Sequence, residues 1–104
     1  MMSGLMRDEL VFESAVSNRN ETGEIEKEWS ESFRCMAYKK KQTAQSGDVL
    51  AHESFIGQTV SFLTWNYPQI TYDNRVRWDG RLWEIRLLER RTAELTITLK
   101  RIDE

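Results

Sequence analysis

Few side chains in this sequence are of a type and spacing that could carry chemistry. His52, Glu53 and Ser54 follow one another with Asp48 shortly before, which supplies the members of a Ser/His/acid set. Adjacent residues on an extended chain point to opposite faces, so this spacing does not build the line of nucleophile, base and orienting acid that acyl transfer needs. Cys35 lies between Arg34 and Met36. A neighbouring cation lowers a thiol pKa, yet a lone cysteine in an alternating run reads first as a small core filler. One cysteine and one histidine rule out an internal disulfide, a multi-cysteine zinc site and a histidine-rich metal site. The five glycines are scattered and form no phosphate-cradling loop, so no cofactor is implied and the chain reads as a non-enzyme. Lys39, Lys40 and Lys41 make the densest cationic run, suited to phosphates or to a neighbour's carboxylates. Trp65, Trp78 and Trp83 are of the kind that stacks bases, but they alternate with apolar neighbours, which assigns them to a core first.

The elements that position these residues belong to a small protein. At 104 residues with 39% hydrophobic content, the chain is expected to form one domain, residues 1–104, with a thin core carried by its aromatics. Lysine and arginine number 15 against 17 acidic residues, a net charge of −2, which does not favour a polyanionic partner in bulk. No run approaches the roughly 20 apolar residues of a membrane span, and residues 1–9 lack the apolar core of a signal peptide, so synthesis and retention in the cytoplasm are expected and no membrane partner is.

Period-two alternation recurs along the chain and predicts strands. Leu10, Phe12, Ser14 and Val16 share one face of a first strand. Residues 18–23 are dense in turn formers, with Gly23 able to take positive φ, and predict a hairpin. Its return limb puts Ile25, Lys27 and Trp29 on one face and Glu24, Glu26 and Glu28 on the other. Residues 33–38 read as a further strand. Residues 39–48 then lose apolar periodicity and end in Ser46-Gly47-Asp48, which predicts a mobile loop. A short helix is one option for residues 48–56. Residues 59–67 read as a strand stopped by Pro68, which cannot donate to a ladder. Asp79-Gly80 between two alternating runs predicts a type I′ turn, with Trp78 facing Arg81 and Val76 facing Trp83. That register lines Val76, Trp78, Trp83, Ile85 and Leu87 along the core and sets Arg75 opposite Glu84 in an exposed ion pair. Leu95, Ile97 and Leu99 repeat the pattern in a last strand. The sum is a mainly β protein: a small antiparallel barrel or sandwich of about six strands, with at most one short helix and long mobile loops.

The order of these features resembles the head-tail joining (head-tail adaptor, head closure) proteins of tailed bacteriophages. The resemblance covers nearly the whole chain: Arg7-Asp8, the Thr22-Gly23-Glu24 turn, Trp29, Met36-Ala37, a polar loop with Gly-Asp, and the ending Ile70-Thr71-Tyr72-Asp73-Asn74-Arg75-Val76 with its Asp-Gly hairpin and Leu-Thr-Ile-Thr-Leu strand. Trp78 and the lysine run depart from the family pattern. The resemblance implies a structural component of the virion of a phage or prophage. Its subunits would form a ring below the portal that closes the DNA-filled head and docks the tail, with portal or adaptor and tail proteins as partners and passive contact with channel DNA. A ring needs two different complementary surfaces on each subunit. Charge supplies candidates: between Asp8 and Glu31 there are eight carboxylates against Arg19 and Lys27, whereas residues 34–41 carry four cations and no anion. The expected ring contacts are therefore Glu24, Glu26 and Glu28 on one side and Arg75, Arg77 and Arg86 on the other, with Lys39, Lys40, Lys41 and Asp48 in a loop reaching a partner or the channel. Two other functions fit the same residues. One is a small barrel that binds nucleic acid through Arg75, Arg77, Arg86, Arg90 and Arg91, a patch blunted by Glu84. The other is a tail-completion or tail-terminator subunit.

Overall fold

The computed structural model describes residues 5–43 and 58–103. Its elements are six strands: β1 (Asp8–Arg19), β2 (Ile25–Thr43), β3 (Thr59–Trp65), β4 (Arg75–Trp78), β5 (Arg81–Arg90) and β6 (Glu94–Arg101). All pairings are antiparallel, and the strands close on themselves in the order β1-β2-β3-β6-β5-β4. The closing contact is short, since β1 meets β4 only through Val11, Phe12 and Glu13.

Inward positions follow the alternation of the sequence. Leu10, Phe12, Val60, Phe62, Ile70, Val76, Trp83, Leu95, Ile97 and Leu99 are fully or almost fully buried. Phe62, Trp78 and Trp83 pack as a tilted aromatic series with centroid spacings of 5.0 and 5.5 Å, geometry that favours ring edges against ring faces. The Trp83 indole donates to the Trp78 carbonyl at 3.0 Å, so its polar atom is satisfied inside the core.

The hairpin of β4 and β5 has the expected register: Trp78 opposes Arg81, Val76 opposes Trp83, and Arg75 opposes Glu84. Asp79 and Gly80 have φ of 56° and 70°, the paired positive values of a type I′ turn. The first turn also matches, with Gly23 at φ 87° and hydrogen bonds closing Asn20 onto Glu24 and Gly23.

Several expectations are corrected. The return limb and the strand at residues 33–38 are parts of one 19-residue strand, β2. That strand continues through Lys39, Lys40 and Lys41, which are therefore not in a loop: Lys39 opposes Phe62, Lys41 opposes Ser61, and Lys40 lies at a bulge between them. Backbone pairing with β3 holds this polar stretch extended without any apolar alternation of its own. β3 ends at Trp65, before Tyr67. Leu87 is 45% exposed because a bulge between Ile85 and Leu87 adds one residue and turns Leu88 to the core instead. Val16 keeps the face of Leu10 and Phe12 but is 50% exposed, since β1 runs past the end of β4 and leaves that face without an opposing layer. Trp65, assigned to the core, is also partly exposed. Asp48, and the helix or loop weighed for residues 48–56, lie outside the described residues.

Candidate functional site

Beyond Glu13, β1 and β2 leave the barrel as a two-stranded ribbon. Opposed pairs share a face, so the register Val16 to Glu28 and Asn18 to Glu26 puts the acidic row on the same side as Val16. Arg19, Ile25, Lys27 and Trp29 occupy the other side. Glu24, Glu26 and Glu28 are all exposed. Glu24 and Glu26 accept single hydrogen bonds within the turn, from Thr22 Oγ1 at 3.0 Å and Asn20 Nδ2 at 2.9 Å.

The base of the ribbon is tied to the barrel through Glu13. This carboxylate is 7% exposed and accepts Arg75 Nε at 2.6 Å and Arg77 Nε at 3.2 Å. Burial pushes its pKa up, but the two guanidinium hydrogen bonds and their charges outweigh that and hold it below the ordinary value. Arg75 also lies over the Trp29 ring, 4.4 Å from its centroid, so one guanidinium joins β1, β2 and β4. Asn74 completes the anchor by donating to the Glu13 carbonyl and, at 3.0 Å, to Ser14 Oγ, while its own oxygen accepts Thr71 N at 2.9 Å. Ser32, the extra residue at the bulge opposite Phe12 and Glu13, receives Ser14 Oγ at 2.9 Å and donates to the Phe12 carbonyl. A shallow groove of about 490 Å³ follows this junction, lined in part by Ala15, Ser17, Lys27, Trp29 and Asp73.

The expected pairing of Arg75 with Glu84 gives way to this arrangement, because Glu13 reaches both β4 arginines from the neighbouring strand. Glu84 pairs with Arg86 instead, at 3.1 Å. Arg77 and Arg86 keep side-chain exposures of 49% and 55%, against 22% for Arg75. Arg90 is turned to the backbone of the β3–β4 connection, where it bonds Asn66 Oδ1 at 2.7 Å, the Tyr67 carbonyl at 3.1 Å and the Ile70 carbonyl. Four of the five arginines weighed for nucleic acid are thus engaged within the subunit: Arg75, Arg77 and Arg86 hold carboxylates and Arg90 clamps a loop. Lys39 Nζ sits 5.6 Å from the Trp78 ring centroid and 3.1 Å from Gln42 Oε1. Acidic and basic residues consequently mark the two ends of one strand, β2.

Catalytic chemistry finds no support in these positions. Cys35 is buried against Thr64, with Sγ 3.8 Å from the hydroxyl, and burial raises its pKa, the opposite of an activated thiol. His52, Glu53 and Ser54 lie outside the described residues. Among the described residues no three His, Cys, Asp or Glu side chains group as metal ligands, and no helix is long and apolar enough to cross a membrane. Sequence reasoning missed Glu13, Asn74 and Arg90 as organisers. Their partners lie 62, 61 and up to 24 residues away, and only the period-two placement of Glu13 between inward residues hinted at an outward role.

A closed antiparallel barrel of six strands with an acidic ribbon standing out of it defines the class as a small all-β protein. The family of phage head completion proteins matches residues 1–101, and the chain belongs to that family. Two solved structures share the fold. A solution structure of a protein from Shigella flexneri 2a is 20% identical, with a TM-score of 0.67 over 97% of this chain and 96% of that one. A chain in the virion of a native gene transfer agent particle is 16% identical, with a TM-score of 0.60 over 92% and 96%. No curated protein matches the sequence.

Proposed function

We propose that this protein is a structural, non-enzymatic subunit of a phage or prophage virion, which forms a ring at the head-tail junction, closes the DNA-filled head and offers a docking surface to the tail. The observation that carries this reading is an acidic ribbon standing out of a rigid barrel in a chain of the head completion family. A closed barrel resists deformation and supplies the ring body; a charged ribbon supplies a contact that is satisfied only by a partner. Glu24, Glu26 and Glu28 form one contact surface. Arg77 and Arg86, the more exposed of the basic set, form the other with Arg75 behind them. Lys39, Lys40 and Lys41 lie on the strand that leads toward Asp48, and that end of the molecule is the one proposed to reach a partner or channel DNA. The partners are copies of this chain, portal or adaptor proteins, and tail proteins.

The test is electron microscopy of the lysate of a phage lacking this gene, with packaged DNA quantified. Separate tails beside heads that hold DNA, or have lost it through an unplugged portal, are the expected result. Heads carrying aberrant or over-long tails would favour a tail-terminator role, and intact infectious particles would remove the protein from virion assembly.

A further inference from the structure

The ribbon has two outer edges, residues 15–19 of β1 and 25–31 of β2, and neither pairs with another strand among the described residues. A two-stranded ribbon alone in water is marginally stable, and unpaired N–H and C=O groups along an edge are a template for a further strand. We propose that the ribbon completes its sheet with a second copy of this chain: the outer edge of β1 in one subunit pairs with the outer edge of β2 in the next, giving a continuous antiparallel sheet around the ring. The inference rests on the ring reading above and names the contact that closes it.

Three observations select this partner. First, the two open edges lie on opposite sides of the same ribbon, so the contact they make is heterologous and repeats from copy to copy, as a ring requires. β1 and β2 are antiparallel within a subunit, so ribbons pointing the same way present β1 antiparallel to the neighbouring β2. Second, the side-chain rows favour β1 against β2 over β2 against β2. On the acidic face β2 carries Glu26 and Glu28, while β1 carries Val16 and Asn18 and no charge. Pairing β2 with β2 would set glutamate against glutamate, which destabilises a sheet, whereas pairing β1 with β2 sets the glutamates beside neutral residues. It also gives Ile25, 68% exposed, a neighbouring strand to pack against. Third, the edge of β1 is continuous with the end of β4, which pairs with Val11, Phe12 and Glu13 on that same side. An added β2 running down from the ribbon tip comes end to end with the start of β4 at Arg75, and the groove beside Ala15, Ser17 and Asp73 borders its path.

The test uses full-length chains assembled into phage particles. Ser17→Cys and Arg19→Cys mark β1; Ile25→Cys and Lys27→Cys mark β2, on the same face. All four positions are exposed, and the native Cys35 is buried. Each chain carries one added thiol, so any disulfide formed on oxidation joins two chains. Particles built from equal mixtures of a β1 and a β2 variant are expected to yield disulfide dimers containing one of each in at least one of the four combinations, and particles of a single variant none. Dimers of β1 with β1 or β2 with β2 would overturn the proposal, as would particles that contain the chain at the head-tail junction but yield no mixed dimer in any combination. Absence of the chain from the particle would refute the ring reading itself, and this contact with it.

Discussion

Glu13 shows how one carboxylate can decide whether a ribbon is fixed to its barrel. It is nearly buried and holds two guanidiniums, so its loss would strand Arg75 beneath the ribbon with only the Trp29 face for company. Glu13→Gln keeps the shape but not the charge, and roughly 1–3 kcal/mol of stability should be lost at neutral pH, read as a fall in the urea midpoint. The pH dependence has a definite sign. The native pKa lies below the ordinary 4.5, so the stabilisation is complete above that value and is lost as pH falls through the lowered native pKa. The parent and the Gln variant should therefore differ at pH 7 and converge in acid; an equal difference at both pH values would mean that Glu13 acts by shape alone. Trp83 is the core counterpart. At 1% exposure with its indole N–H bonded, Trp83→Ala removes both a large apolar volume and a donor, and should cost about 3–5 kcal/mol by chemical denaturation. A loss under about 1 kcal/mol would mean that the barrel interior collapses onto the space, contrary to close packing.

At the scale of elements, the β4–β5 hairpin depends on its two-residue turn. Gly80 has φ 70°, and a Cβ built there meets nothing within 4 Å, so the constraint on this position is conformational and not steric crowding. Gly80→Val forces a β-branched residue into the left-handed region, and a loss of about 1–2 kcal/mol, several degrees in melting temperature, is expected. An unchanged melting temperature would show that the hairpin can change turn type without losing register. This hairpin was also the most legible element in the sequence, because Asp79-Gly80 and the alternation around it are local signals. β2 was less legible: Lys39, Lys40 and Lys41 carry no apolar period, and their extended form comes from β3, whose partners lie about 20 residues on. Leu87 and Val16 show the two ways a correct alternation yields a wrong burial, one by a bulge that shifts the phase and one by a strand that outruns its neighbour. The candidate site was legible in part. The glutamate row followed from period two, whereas the capture of Arg75 and Arg77 by Glu13 depends on β1 lying beside β4, a closure that no local pattern encodes.

On the whole-molecule scale, the proposed function asks the separated charges to meet something outside the subunit. The six strands and Ile70 of the β3–β4 connection supply the buried apolar residues of the core, yet the longest strand carries its carboxylates past the barrel and its lysines to the other end, within a molecule whose longest dimension is 51 Å. Exposed ion pairs contribute little individually, about 0.5 kcal/mol each. In a ring the same pairs recur at every subunit boundary, and three of them give about 1.5 kcal/mol per boundary, close to a tenfold change in the affinity of each contact. Glu24→Gln, Glu26→Gln and Glu28→Gln together should therefore separate folding from assembly. The side chains are exposed, and glutamine keeps an acceptor for the Thr22 and Asn20 bonds in the turn, so the purified triple variant should melt as the parent does. Supplied in place of the parent protein, it should leave a large fraction of heads unjoined to tails, and its deficit relative to the parent should narrow at high ionic strength, where the parent's own charge contacts are screened. Normal particle yield from this variant would show that the acidic row is only a solvated face and that ribbon-edge pairing or the basic surface carries the assembly alone.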